Sequence, residues 1–332
     1  MGVPAIGPIG PVNEQSYPDA RIWRVGSGPK LILLHGEFGD ARTYWSAVAD
    51  DIASHFDLIM PDLPGFGETA PLADFRAQTY VLWLKRLGDA LTEESEDRSQ
   101  ESEEAVPRGE GGVRPARPSP TPRVARAGTG EEPTVESGAN HPVGSGVPRA
   151  AVEREPVVIA GAGFGATIAR LFAAQYRPLV RRLILSGGGS LDRPSPFQNF
   201  LSQFVRRNRG PTSPDAVQSP DALFHDPRQH STAEFQRAFD EARISAHRVR
   251  RAFVEAPLPP ALTPACTTLL LWGHEDRYCP PTVQQSIAAE LKDPRQVEIY
   301  DAGHLVMIEQ PRRFSAHLLD FLGMKFPVMS DE

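Results

Sequence analysis

Val157-Val158-Ile159-Ala160-Gly161-Ala162-Gly163-Phe164-Gly165 is the stretch on which the fold turns. Its unbroken apolar opening lacks the in-and-out alternation of a half-exposed strand and suits one covered on both faces. Three spaced glycines then open a sharp turn, and Ile168, Leu171 and Phe172 recur at helical spacing behind it. Outward from this strand–turn–helix unit the same grammar repeats. Leu31-Ile32-Leu33-Leu34 reads as a buried strand, followed by a helix over about Thr43 to Phe56 and a second strand, Leu58-Ile59-Met60. Tyr80, Leu84, Leu87 and Leu91 mark another helix, while Leu183-Ile184-Leu185, Leu269-Leu270-Leu271 and Val297-Glu298-Ile299-Tyr300 supply further strands. Apolar strands alternating with helices predict an α/β fold with a mostly parallel, doubly wound sheet.

Two segments interrupt the alternation and divide the chain. Residues 92–155 open on the acidic block Glu93-Glu94-Ser95-Glu96-Asp97 and run on through Pro, Gly, Glu and Arg with almost no large apolar side chains. Such a stretch buries too little surface to offset its ordering entropy, so it reads as a disordered insertion, with a protein partner as its one suggested role. Residues 190–264 carry helical spacings (Phe197, Phe200, Leu201, Phe204, then Phe235 and Phe239) broken by prolines, and read as a helical cap over the strand ends. The core is left as 1–91, 156–189 and 265–332. The cap's arginines (Arg206, Arg207, Arg209, Arg248, Arg250, Arg251) are either a solvated helix face or the attraction for an anionic ligand.

Composition narrows the function classes. A net charge of −7 over 332 residues gives no basic face for nucleic acid. The apolar runs are far too short to span a bilayer, and Met1-Gly2-Val3-Pro4 opens neither a secretory leader nor a myristoylation motif, so a cytoplasmic protein with no membrane partner is expected. The two cysteines, Cys266 and Cys279, flank a single strand and stand too far apart for a disulfide. No metal site or cofactor is implied.

Four local motifs carry the chemistry: His35-Gly36-Glu37-Phe38 after one strand, Asp62-Leu63-Pro64-Gly65-Phe66-Gly67 after the next, Gly273-His274-Glu275-Asp276, and Gly303-His304. In this order and spacing the chain resembles the α/β-hydrolase superfamily, cap-bearing type, from about Arg21 to Leu322 apart from the insertion. The resemblance implies an oxyanion hole built from the backbone amides of Glu37 and Phe164, an acid at Asp276 and a histidine at His304, with His274 a turn residue. It also implies a nucleophile at the centre of the glycine turn, where this sequence has Gly163. Glycine adopts the positive φ of such a turn without strain, so the turn is expected to form with nothing on it to attack.

These residues also admit other readings. Gly161, Gly163 and Ala166 fit a dinucleotide-binding fingerprint, but the next strand ends in Ser186-Gly187 with no acidic residue for a ribose. Asp276 fits equally the cap of the helix after Pro280-Pro281. The Glu37 side chain bonds within its loop or contacts a water or substrate. Three functions stay open: a non-hydrolytic pseudoenzyme binding a small apolar molecule under the cap or a partner protein; an enzyme using His304–Asp276 as a base without a nucleophile (lyase, cyclase or water-activating hydrolase); and an ordinary ester or lactone hydrolase with its nucleophile displaced to Ser186 or Cys279.

Overall fold

The computed structural model describes residues 20–104, 155–190, 219–255 and 263–326. Seven strands form one sheet: β1 (Ile22–Val25), β2 (Lys30–Leu34), β3 (Asp57–Pro61), β4 (Val157–Ala162), β5 (Val180–Ser186), β6 (Thr267–Gly273) and β7 (Arg295–Ile299). Their spatial order is β1-β3-β2-β4-β5-β6-β7; β1 pairs antiparallel with β3 and the remaining five pairings are parallel. Every expected strand is present, lengthened by one to three residues at one or both ends, except that the last begins two residues earlier and stops at Ile299, leaving Tyr300 outside it. The edge strand β1 is an addition; four residues with arginine in the middle carry no period that marks a strand.

The sheet divides two cores by strict alternation. Leu31 and Leu33 with Val158 and Ala160 face one side, while Ile32 and Leu34 with Ile159 face the other. These β2 side chains are at most 1% exposed, and each contributes about 1.5–3 kcal/mol on burial. The first side is covered by α1 (Ala41–Ala53), whose Tyr44, Trp45, Val48, Ala49 and Ile52 form its inward stripe, together with the C-terminal helix Pro311–Phe321. Asp40 starts α1 by accepting from the Thr43 N–H at 2.7 Å. The second side is covered by α2 (Ala77–Glu104) and α3 (Phe164–Gln175).

Helix α2 corrects one boundary. The insertion was expected to be structureless from Thr92, yet the helix runs on through Glu104. Glu, Gln and Arg are good helix formers, so the polar sequence that cannot build a core still propagates a helix already nucleated by Tyr80–Leu91. The end of α2 beyond Glu93 belongs to a separate unit from the rest of the described chain. Between β5 and β6, the described part of residues 190–264 comprises helical turns at Pro220–Leu223 and Pro227–His230, then α4 (Ala233–Glu255), with Phe235 and Phe239 buried as their spacing implied. Phe197, Phe200, Leu201, Phe204, Arg206, Arg207 and Arg209 lie outside the described residues, as do 105–154. Cys266 and Cys279 are free thiols. No helix among the described residues is long and apolar enough to cross a membrane.

Candidate active site

The loops at the C-terminal ends of β2, β4, β6 and β7 bring the singled-out residues together. Gly163 stands between β4 and α3 at φ 50° and ψ −119°, a conformation L side chains rarely adopt. Its N–H donates to the Ser186 carbonyl at 2.9 Å. Close backbone approach explains the next glycine: a Cβ on Gly165 would lie 2.4 Å from the carbonyl oxygens of both Leu34 and His35.

His35 ties the loop after β2 to the turn after β3. Its Nε2 accepts from the Leu63 N–H at 2.8 Å, so the proton is on Nδ1, which donates to the Gly36 carbonyl at 2.7 Å. Burial lowers its pKa to about 4. Because the folded value lies below the unfolded 6.5, His35 contributes stability that is present above pH 6.5 and is lost as pH falls toward 4, up to about 3 kcal/mol. Urea unfolding at pH 7 and pH 4.5 is expected to show a smaller acid loss for His35→Gln than for the natural chain; equal losses would remove His35 as the cause. Asp62 closes the neighbouring turn by accepting from Ala41 N–H (2.9 Å) and Glu68 N–H (3.0 Å). Burial raises its carboxyl to about 6.

His304 and Asp276 meet as the resemblance implied, Nδ1 to Oδ2 at 2.9 Å, both side chains at most 1% exposed. The other Asp276 oxygen accepts from the N–H groups of Tyr278 (2.9 Å) and Cys279 (2.7 Å), while the helix Pro281–Glu290 begins at Pro280. Asp276 therefore does not cap that helix; it closes its own turn and holds the imidazole. Burial pulls the His304 pKa down, but the charge of Asp276, its hydrogen bond and the charge of Glu37 outweigh this and leave it above 6.5. The histidine backbone is fixed separately. Its N–H donates to the Leu223 carbonyl at 2.8 Å, and Glu309 accepts from Gly303, His225 and Asp226 N–H groups at 2.5, 2.8 and 3.0 Å.

Glu37 is the unexpected member. Its carboxylate leaves its own loop: Oε2 accepts from the Phe164 N–H at 2.9 Å and Oε1 from the Tyr278 hydroxyl at 3.0 Å. A Cβ placed on Gly163 would stand 2.8 Å from Glu37 Oε2 and 3.6 Å from His304 Nε2. The carboxylate thus sits beside the empty side-chain position of Gly163 and holds one of the two amides expected to bind an oxyanion. Tyr278 was missed by sequence reasoning, although it lies two residues after Asp276. Its ring packs edge-on to His304 with centroids 4.7 Å apart, and burial followed by the Glu37 charge raises its hydroxyl well above the ordinary tyrosine range.

The remaining candidates lie elsewhere. His274 is a half-exposed turn residue bonded to Glu298 at 3.0 Å. Burial and then the charge of Asp276 push the Cys279 thiol upward, which disfavours a thiolate. The Ser186 hydroxyl is buried and has no hydrogen-bond partner among the described residues. Neither Ser186 nor Cys279 is hydrogen-bonded to His304. No group of three or more metal-ligating side chains is assembled among the described residues.

Comparison with known proteins covers most of this architecture. The profile described as the alpha/beta hydrolase family matches residues 31–317. An uncharacterized protein of Mycobacterium tuberculosis is 38% identical over 73 residues, 21% of this chain and 21% of its own. A pimeloyl-[acyl-carrier protein] methyl ester esterase of Aeromonas salmonicida is 46% identical over 46 residues, 14% of this chain and 18% of its own. The chain therefore matches only about a fifth of the length of these relatives. Among solved structures, a thermophilic esterase from Thermogutta terrifontis aligns at TM-score 0.58 and 21% identity, covering 92% of this chain and 93% of that one. The enol-lactonase of Burkholderia xenovorans aligns at 0.59 and 16%, covering 92% and 96%.

Proposed function

Because the chain belongs to the alpha/beta hydrolase family, we propose that it hydrolyses small esters or lactones without an elbow serine, by a water that His304 activates with Asp276 behind it. The observation supporting this is the buried 2.9 Å His304–Asp276 pair, which a protein that only binds has no chemical need to keep. The esterase and lactonase relatives point to the substrate class. In this reading Gly163 is the vacated nucleophile position and the segment between β5 and β6 is the cap.

The space left by the missing side chain lies between Glu37 Oε2 and His304 Nε2. A water held there gives a proton to Nε2 as its oxygen attacks the carbonyl carbon. Asp276 stabilises the imidazolium, which then protonates the departing alkoxide, so ester and water become acid and alcohol. The Phe164 N–H is engaged by Glu37, and losing one oxyanion donor costs about 10²–10³ in turnover, so a slow hydrolase is expected.

The test is hydrolysis of p-nitrophenyl acetate, p-nitrophenyl butyrate and dihydrocoumarin by the natural chain and by His304→Ala. The natural chain is expected to exceed buffer, and the variant to lose about 10²–10⁴ of that excess. A natural chain no faster than buffer would sink the proposal. That result would favour the second reading, a non-hydrolytic pseudoenzyme binding a small molecule, which the Glu37 carboxylate in the expected oxyanion site supports.

The pH dependence separates the two groups. The working form needs an unprotonated Nε2, so kcat/KM rises with pH through an inflection above 6.5. Glu37→Gln removes a charge that favours the imidazolium and is expected to move the inflection down; an unmoved inflection would show that Glu37 does not act on His304.

A further inference from the structure

We propose that the site takes a substrate carrying a free carboxylate, held by Arg250 in the cavity roofed by α4. The reacting end rests on the hydrolase reading above; the carboxylate site does not. A cavity of about 940 Å³ opens over Glu37 and Phe38 and is walled on its other side by α4. It is large enough for a small organic acid ester. Phe38 joins it to the proposed active site, with its ring centroid 5.9 Å from that of His304.

The wall is cationic at helical spacing. Arg243 and Arg250 recur at i and i+7, with Arg248 beside them and His247 between, against two acids in the lining, Asp240 on α4 and Glu37 on the floor. Two of these cations have neighbours: Arg243 lies 4.0 Å from Asp240, and the Arg248 guanidinium lies 5.6 Å over the Phe75 ring. Arg250 is different. Its Nε is buried without an acceptor among the described residues, and its charge is felt by the Tyr278 phenol, the donor to Glu37 Oε1. The Arg250 side chain as a whole is only part-buried, and its planar guanidinium offers two parallel N–H groups matched to two carboxylate oxygens. Of the arginines noted in the sequence, Arg248 and Arg250 line the cavity and Arg251 does not.

The experiment has a binding arm and a turnover arm, both on the full chain. In the first, glutarate and inorganic phosphate are titrated against thermal unfolding of the natural protein, Arg250→Met, Arg250→Lys and Arg237→Met, the last an exposed arginine of α4 outside the cavity lining. Glutarate is expected to raise the unfolding temperature of the natural protein and Arg237→Met, to act weakly on Arg250→Lys, and to leave Arg250→Met unmoved. In the second, mono-p-nitrophenyl glutarate is compared with p-nitrophenyl butyrate; the natural protein is expected to prefer the acid ester by about tenfold or more in kcat/KM, a preference lost in Arg250→Met. Glutarate binding without hydrolysis of either ester would uphold the carboxylate site and sink the hydrolase reading. Hydrolysis with no preference and no glutarate response would do the reverse. A response to phosphate alone, or one equal in Arg250→Met, would overturn the proposal, and should Arg250→Met fail to fold, the natural and Arg250→Lys proteins decide it.

Discussion

Gly163→Ser alone is expected to lower ester hydrolysis, because its side chain takes the place of the attacking water while pressed against Glu37, whereas Gly163→Ser with Glu37→Ala is expected to raise it above the natural level by at least about 100-fold, the scale of restoring one oxyanion donor. The difference lies in the Glu37 carboxylate. A serine Cβ would stand 2.8 Å from Oε2, closer than real Cβ contacts allow, while the Phe164 N–H and Tyr278 hydroxyl hold that carboxylate in place. The serine also inherits φ 50°, with a strain of about 1–3 kcal/mol. Removing the Glu37 side chain clears the contact and frees the Phe164 amide to meet developing negative charge. Turnover of p-nitrophenyl acetate and intact-mass detection of a fluorophosphonate adduct read the result. An active, labelled double variant would place Asp276, His304 and the Phe164 N–H in working register. A single variant as fast as the double would show that Glu37 obstructs nothing, and a folded but inert double variant would show that the serine does not reach His304.

Asp276→Asn is expected to lower kcat by about 10³–10⁴ while changing stability little. One aspartate oxygen accepts from Tyr278 and Cys279 N–H groups, and an asparagine carbonyl does the same. That choice turns the amide NH₂ toward His304 Nδ1, now 2.9 Å from a donor instead of an acceptor. The imidazole answers by moving its proton to Nε2, the atom that has to take one. The loss therefore comes from the wrong tautomer in an unmoved frame, and unchanged urea midpoints beside collapsed turnover would show it. Activity within tenfold of the natural chain would remove Asp276 from the mechanism.

The fold was legible because each core strand is a run such as Leu31–Leu34 whose burial on both faces leaves no polar alternation to confuse it. The pairing of Asp276 with His304 was legible from order and spacing, because each follows a neighbouring strand and the sheet fixes where those loops meet. The destination of the Glu37 side chain was not. It bonds an amide 127 residues away, and a flexible carboxylate carries no local signal of which donor it will reach. Tyr278 was hidden for the same reason, its partner being 241 residues distant. The overrun of α2 past Thr92 was missed because poor core-forming composition was read as absence of helix, two properties that polar helix formers separate.

Glu309 has a consequence for anyone who treats the segment between β5 and β6 as an exchangeable part. Its carboxylate binds Gly303 on one side and His225 and Asp226 on the other, while the Leu223 carbonyl receives the His304 N–H. The histidine's backbone is thus partly upholstered by the very segment a chimera would replace. On the proposed hydrolase reading, a graft from a relative transfers substrate preference intact only when its own chain returns one carbonyl and two amides to those positions, so the proposed boundary between recognition and chemistry runs through the residues around 223–226 and not around them.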